Sequence, residues 1–283
     1  MYSIYHFWKH LVRKKSSFSG IATLSDFPFD TKMLSCVNKG IFPDLAIRLN
    51  KDQSLFTGGE LIELKDSKSY LVSSFNSTVP TGKKNIRKII SSERGIIYSQ
   101  MQKAGDDVFS LEEREVYYLV RGHRKGFQKI CLVHGSFFET ISVKELISKS
   151  FTQVLNERLV DTDISQDVKE TLGSIFSEQT DFSKVRSVEN ASVKLRFRIL
   201  TEVKPEGNIL HSKMYPEIGD DTLNLVVPYH TEQEKLDVIS KLQLVFGPQA
   251  MKQIKVFFVK HPLNGWFVVF QANLQLPHQV SPQ

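Results

Sequence analysis

An α/β fold, with a central mixed β-sheet flanked by helices and an α+β extension at the C-terminal end, is predicted by three observations. Short apolar runs bounded by turn residues read as strands. Longer stretches with apolar residues three and four apart read as helices. The two kinds follow each other as strand, strand, helix, strand, strand, helix before a mixed tail.

Met1–Ser17, the first segment, mixes aromatics with His6, Lys9, His10, Arg13, Lys14 and Lys15 and lacks the apolar stretch of a secretory signal. It reads as a helix packing Tyr2, Ile4, Phe7, Trp8 and Leu11, with an Arg-rich targeting helix as the alternative. Thr31–Asn38 predicts a short helix closed by Gly40. Asp44–Leu49 predicts a strand, Asn50–Phe56 a polar turn and Glu60–Lys65 a second strand. Ser67–Thr81, rich in Ser, Asn, Thr and Pro, predicts an irregular segment. Ile86, Ile89, Ile90, Ile97 and Met101 place a helix over Lys84–Gln102. Val116–Val120 and Lys129–Val133 are strands joined by a basic turn, Arg121–Gly126. Val143, Leu146, Ile147, Phe151, Val154, Leu155 and Leu159 form one stripe of a helix over Ser142–Leu159.

The remainder changes character. Ser192–Ile199 alternates Val193, Leu195, Phe197 and Ile199 with Lys194, Arg196 and Arg198, the pattern of a half-buried strand. Pro205–Asp221 is turn-rich, Leu223–Val227 a strand and Gln233–Leu244 a helix. Lys255–Lys260 and Trp266–Gln271 form a hairpin with an Asn264-Gly265 turn signal. The domain reading is residues 1–160 as a core and 161–283 as a region packed on it, without a linker composition between them.

Composition narrows the function classes. The 41% hydrophobic and 24% charged fractions match an ordinary soluble globular chain. No apolar run approaches the roughly 20 residues that span a bilayer. Cys36 and Cys131 alone make no disulfide framework, so a cytoplasmic, reducing location is expected. The net charge of +6 is uneven: residues 1–150 carry 23 Lys and Arg against 15 Asp and Glu, a balance of +8. Excess positive charge favours a polyanionic partner over an acidic small molecule.

Two short stretches carry the chemistry. Phe42-Pro43-Asp44 puts a carboxylate at the mouth of an apolar run, and Gly58-Gly59-Glu60-Leu61-Ile62-Glu63-Leu64-Lys65 puts Glu63 and Lys65 two residues apart in another. With a side-chain period of two, Glu63 and Lys65 share one strand face while Ile62 and Leu64 point into the core. Glu60 has the parity of Ile62 and faces away from Glu63 in a regular strand. Two carboxylates beside an ammonium suffice to hold a hard divalent cation and activate water on it.

Pro43-Asp44 with Glu63-Leu64-Lys65 resembles the PD-(D/E)XK nuclease superfamily, to which many type II restriction endonucleases belong. The resemblance covers roughly residues 30–160 and implies a restriction-endonuclease-like core. It implies Mg²⁺, with Mn²⁺ able to substitute, held by Asp44, Glu63 and the Leu64 carbonyl, with Lys65 orienting the attacking water. Many members add a Glu from a preceding helix, where this chain offers only Asp26 and Asp30. The implied activity is site-specific hydrolysis of double-stranded DNA by a homodimer, with a companion DNA methyltransferase as partner. The alternatives are a repair or recombination nicking nuclease of the same superfamily and a non-catalytic nucleic-acid-binding module. Phosphate contacts are expected from the loop after the catalytic strand and the helix behind it: Lys68, Ser73, Ser74, Asn76, Thr78, Lys83, Lys84 and Arg87. Lys194, Arg196 and Arg198 are a second expected DNA-binding face, with the arginines suited to guanine.

Other motifs fall away. Pro80-Thr81-Gly82-Lys83-Lys84 lacks the Gly and Ser/Thr of a phosphate loop, having Ser77 and Lys84 there. Cys131 and His134 have a zinc-like spacing, but strand geometry sends them to opposite faces and no second pair lies nearby. No Gly-x-Ser-x-Gly elbow is present, and His123 and His261 lack the frame of an HNH nuclease.

Overall fold

Pairing along β-strands organises most of the molecule. The computed structural model describes residues 42–47, 49, 58–72, 74–76, 80–90, 95–103, 105–140, 143–158, 162–177 and 200–274. The expected helices over Met1–Ser17 and Thr31–Asn38, the Asn50–Phe56 turn and the Ser192–Ile199 strand lie outside these residues. The described strands are β1 (Leu45–Ala46), β2 (Leu61–Ser67), β3 (Ser74–Asn76), β4 (Lys83–Asn85), β5 (Glu113–Arg124), β6 (Phe127–His134), β7 (Leu200–Glu202), β8 (Thr222–Tyr229), β9 (Lys255–His261) and β10 (Gly265–Asn273). The helices are α1 (Ile86–Ile89), α2 (Ile96–Lys103), α3 (Val143–Arg158), α4 (Gln166–Ser177), α5 (Glu232–Phe246) and α6 (Pro248–Met251).

The chain divides into two compact units. The first comprises Met1–Ser74, Pro80–Phe138 and Glu202–Gln283. It holds an eight-stranded sheet in the order β1-β2-β5-β6-β8-β10-β9, with β4 paired to the start of β5. The β2/β5 and β6/β8 pairs are parallel and the others antiparallel, so the sheet is mixed as the sequence predicts. The second unit comprises Phe75–Val79 and Glu139–Thr201. Its helices α3 and α4 pack on each other. β3 and β7 pair where the chain enters and leaves this unit.

Side-chain alternation sorts the sheet into two faces. Ile62, Tyr117, Leu132, Leu225, Val268 and Phe270 join Leu242 and Phe246 of α5 and Ala250 of α6 in one apolar core. Thr231 starts α5 by accepting the Glu234 N–H, and Gly247 ends it at φ 77°, a conformation costly for a residue with a Cβ. The opposite face carries Tyr118, Val120, Cys131 and Val133, all buried. There the Phe138 ring meets Tyr118 at 5.3 Å and Phe137 meets Phe267 at 5.0 Å. Lys129 fixes the turn-rich 205–221 segment to this face, donating to Ser212 Oγ at 3.0 Å beside Asp220.

Several elements differ from the sequence expectation. The Lys84–Gln102 stretch opens as strand, because Lys83–Asn85 pairs with Glu113–Glu115. Asn85 then caps α1 by accepting the Arg87 N–H. The irregular Ser67–Thr81 segment contains β3. The basic Arg121–Gly126 turn shrinks to Lys125-Gly126, at φ 53° and 85°, because β5 and β6 stay paired through Arg124 and Phe127. The Asp44–Leu49 strand is regular only at Leu45–Ala46, although Ile47 still donates to the Glu60 carbonyl. Helix α4 carries no sequence expectation at all.

Candidate active site

The PD and ExK stretches meet at one edge of the sheet. In the β1/β2 pair Leu45 faces Ile62 and Ala46 faces Leu61, so the next step places Asp44 across from Glu63. Antiparallel pairs alternate between bonded and non-bonded positions. Since Ile47 donates to Glu60, the bonded positions run 47/60, 45/62 and then 43/64. Asp44/Glu63 is therefore a non-bonded pair, the type in which side chains come closest.

Proline at position 43 sets the geometry of this edge. It has no N–H to give the Leu64 carbonyl, which points to the same edge as the Leu64 N–H. That N–H is taken instead by Asp44, whose Oδ2 accepts it at 2.8 Å. The Pro-Asp dipeptide thus ends strand pairing, fixes one carboxylate and turns a main-chain oxygen outward.

The expected parity holds for Glu63 and Lys65, whose Oε1 and Nζ are 2.9 Å apart. Leu64 keeps the parity of Ile62, across from Leu119, but is 45% exposed rather than core. β1 pairing stops at Ile62, so beyond it β2 has no partner on that side among the described residues, and its exposure rises. Glu60 acts electrostatically on Tyr117 and Glu63 on Tyr118, and these tyrosines occupy opposite faces of β5. Glu60 and Glu63 are divided as strand parity requires.

Electrostatics single out Glu63. Burial raises its carboxyl above the ordinary value and the Asp44 charge adds to this, while Lys65 and Lys84 oppose it. Its Oε2 is buried without a hydrogen-bond partner among the described residues. Such an oxygen is costly unless something else meets it. Lys84 is the neighbour that spacing does not reveal. Its register opposite Arg114 puts it on the Glu63 face, and its Nζ lies 4.0 Å from the Phe42 ring centroid. Burial lowers its basicity and the Glu63 charge restores part of it. A strand reading of Lys83–Asn85 would have supplied this parity.

The other expected DNA-binding residues are distributed unevenly. Lys68 is exposed and, with Lys65, Ser67, Leu71, Val72 and Val120, lines a cleft of about 250 Å³ beside the site. Ser74 and Asn76 lie on β3. Arg87 is exposed, its guanidinium 4.5 Å from the Phe109 ring centroid. Lys83 pairs with Glu115 at 3.2 Å, and Glu115 Oε2 also accepts from His134 Nε2 at 2.7 Å. Ser73, Thr78, Lys194, Arg196 and Arg198, with Asp26 and Asp30, lie outside the described residues. Cys131 is fully buried while His134 bonds Glu115 and Ser136, so the two do not form a common ligand pair.

The donor set suits a hard cation. Among the described residues no three His, Cys, Asp or Glu side chains converge as a metal cage. Mg²⁺ does not need one, since it is commonly held by one or two carboxylates with water and substrate phosphate. Two opposed carboxylates, one with an unmet oxygen, and an outward carbonyl fit that requirement. Among the described residues no helix is long and apolar enough to cross a membrane. Comparison with protein families, with curated proteins and with solved structures finds no match.

Proposed function

We propose that this chain is a Mg²⁺-dependent endodeoxyribonuclease of the PD-(D/E)XK type, acting on double-stranded DNA as a restriction enzyme does. The observation that carries the reading is the opposition of Asp44 and Glu63 at a sheet edge, with Lys65 on the same face. Parallel pairing of the ExK strand with β5 supports a restriction-endonuclease-like core. Asp44, Glu63 and the Leu64 carbonyl would hold the ion. When bound, the ion supplies a Lewis acid and lowers the pKa of water.

The chain's own residues do the rest. Lys65 is tied to Glu63, neutralising a carboxylate that would otherwise repel phosphate. Lys65 would orient the attacking water and meet charge developing on the phosphate. Lys68 and the cleft beside Lys65 offer donors to the adjoining backbone. Cutting both strands calls for two such centres, which a homodimer provides.

Digestion of supercoiled plasmid tests the reading. The wild-type chain is expected to cut with Mg²⁺ or Mn²⁺ and not with EDTA. Asp44→Ala and Glu63→Ala are expected to lose cutting while still binding DNA in Ca²⁺. Undiminished cutting by either variant would remove the assignment.

A further inference from the structure

We propose that Lys84 is a phosphate-binding residue of this centre, a second ammonium besides Lys65; the inference rests on the nuclease reading for its substrate. Three observations converge on it. Lys84 is half-buried on the Glu63 face of the sheet, where its charge acts on Glu63. Its Nζ is seated over the ring of Phe42, the residue immediately before Pro43-Asp44. Among the described residues it has no carboxylate within ion-pair distance, whereas its neighbour Lys83 is paired with Glu115.

The position of Lys84 is built rather than incidental. β4 is held to β5 by Lys83–Asn85 pairing, and Val116 donates to the Gly82 carbonyl at 2.9 Å. A Cβ on Gly135 would stand 1.9 Å from the Thr81 carbonyl oxygen, so the chain leading into β4 is seated as closely as glycine permits. The strand therefore fixes the root of the side chain and the Phe42 ring holds its tip. A partly desolvated ammonium that has, among the described residues, a ring quadrupole but no ion-pair partner is under-compensated. Lys65 is already paired with Glu63, so an anion brought to this edge still meets the Asp44 carboxylate without a cation to offset it from that pair. A phosphate placed between the site and Lys84 satisfies both demands, because it gives the ammonium an anionic partner and the ammonium offsets the repulsion.

Two measurements on the full chain decide it. Inorganic phosphate, titrated without metal into protein with ¹⁵N-labelled lysines, is expected to move the Lys84 ammonium signal and leave that of Lys255 unmoved. Lys255 also lies by a ring, 5.1 Å from the Phe257 centroid, but sits on β9. An unmoved Lys84 signal would overturn the proposal. Single-turnover cleavage by Lys84→Met is expected to slow by about 100-fold, with Lys84→Arg recovering most of the rate. Affinity for uncut duplex in Ca²⁺ is expected to fall by less than about tenfold, the scale of a single phosphate contact. A Lys84→Met rate equal to wild type would likewise overturn it. If the wild-type chain cuts no DNA, the nuclease reading fails, and the phosphate titration still decides whether Lys84 holds an anion.

Discussion

Asp44 reaches across the sheet edge to the main chain of the ExK strand, its Oδ2 accepting the Leu64 N–H at 2.8 Å directly beyond the last paired residues of β1 and β2. The same side chain therefore has a structural task and, in the proposed chemistry, a ligand's task. These are separable because an amide oxygen accepts the hydrogen bond but carries no charge.

Asp44→Asn is expected to retain the Leu64 bond and unfold within about 0.5 kcal/mol of wild type, yet to lose cleavage. Asp44→Ala is expected to lose cleavage and a further 0.5–1.5 kcal/mol or so, the usual net value of one hydrogen bond. Urea denaturation beside plasmid digestion checks both. Active Asp44→Asn would make the residue a strand-edge clamp only.

Glu63 gives the protein a pH signature in the absence of metal. Its carboxyl lies above the ordinary 4.5 because burial disfavours the charge. A group raised on folding contributes stability that is fully present below its unfolded value and lost as pH rises through its folded value. Glu63→Gln resembles the protonated side chain at every pH. The stability of Glu63→Gln relative to wild type is therefore expected to increase from pH 4 upward and to level off once Glu63 is ionised. Denaturation in EDTA across that range measures it, and a pH-independent difference would contradict a buried carboxylate.

The sheet behind the site rests on a different pair. Arg114 is fully buried and bonds Asp106 through both guanidinium ends at 2.8 and 3.0 Å, with a further bond to the Val108 carbonyl. Arg114→Met strands a buried carboxylate and is expected to cost about 3–5 kcal/mol. Adding Asp106→Leu removes the stranded charge and is expected to recover most of that loss. A thermal or urea transition in which the double variant is worse than the single one would show that the pair contributes more than charge balance.

How much the sequence discloses depends on range. The Glu63/Lys65 face needs only the period of a strand, and the Asn264-Gly265 hairpin only local turn chemistry. Leu64 departs from its expected core position because its exposure depends on where β1 stops, a pairing set by Pro43 on another segment. Helical spacing of the isoleucines after Lys84 assigns it to a helix, whereas β5 draws Lys83–Asn85 into the sheet. Its approach to Phe42 then joins residues 42 apart in sequence, and no local pattern encodes that. Helix α4 is legible in principle, since Val168, Leu172, Ile175 and Phe176 recur at helical spacing.

The central claim is that the chemistry belongs to one face of β2, and Glu60 and Glu63 test it as an internal pair. Both are acidic and three residues apart, yet they act on tyrosines on opposite faces of β5. The decisive measurement is the single-turnover rate of plasmid cleavage in Mg²⁺ for Glu60→Gln and Glu63→Gln under one set of conditions. Glu60→Gln is expected to retain most of the wild-type rate and Glu63→Gln to fall below about one hundredth of it. Equal losses, or a loss confined to Glu60→Gln, would contradict the claim.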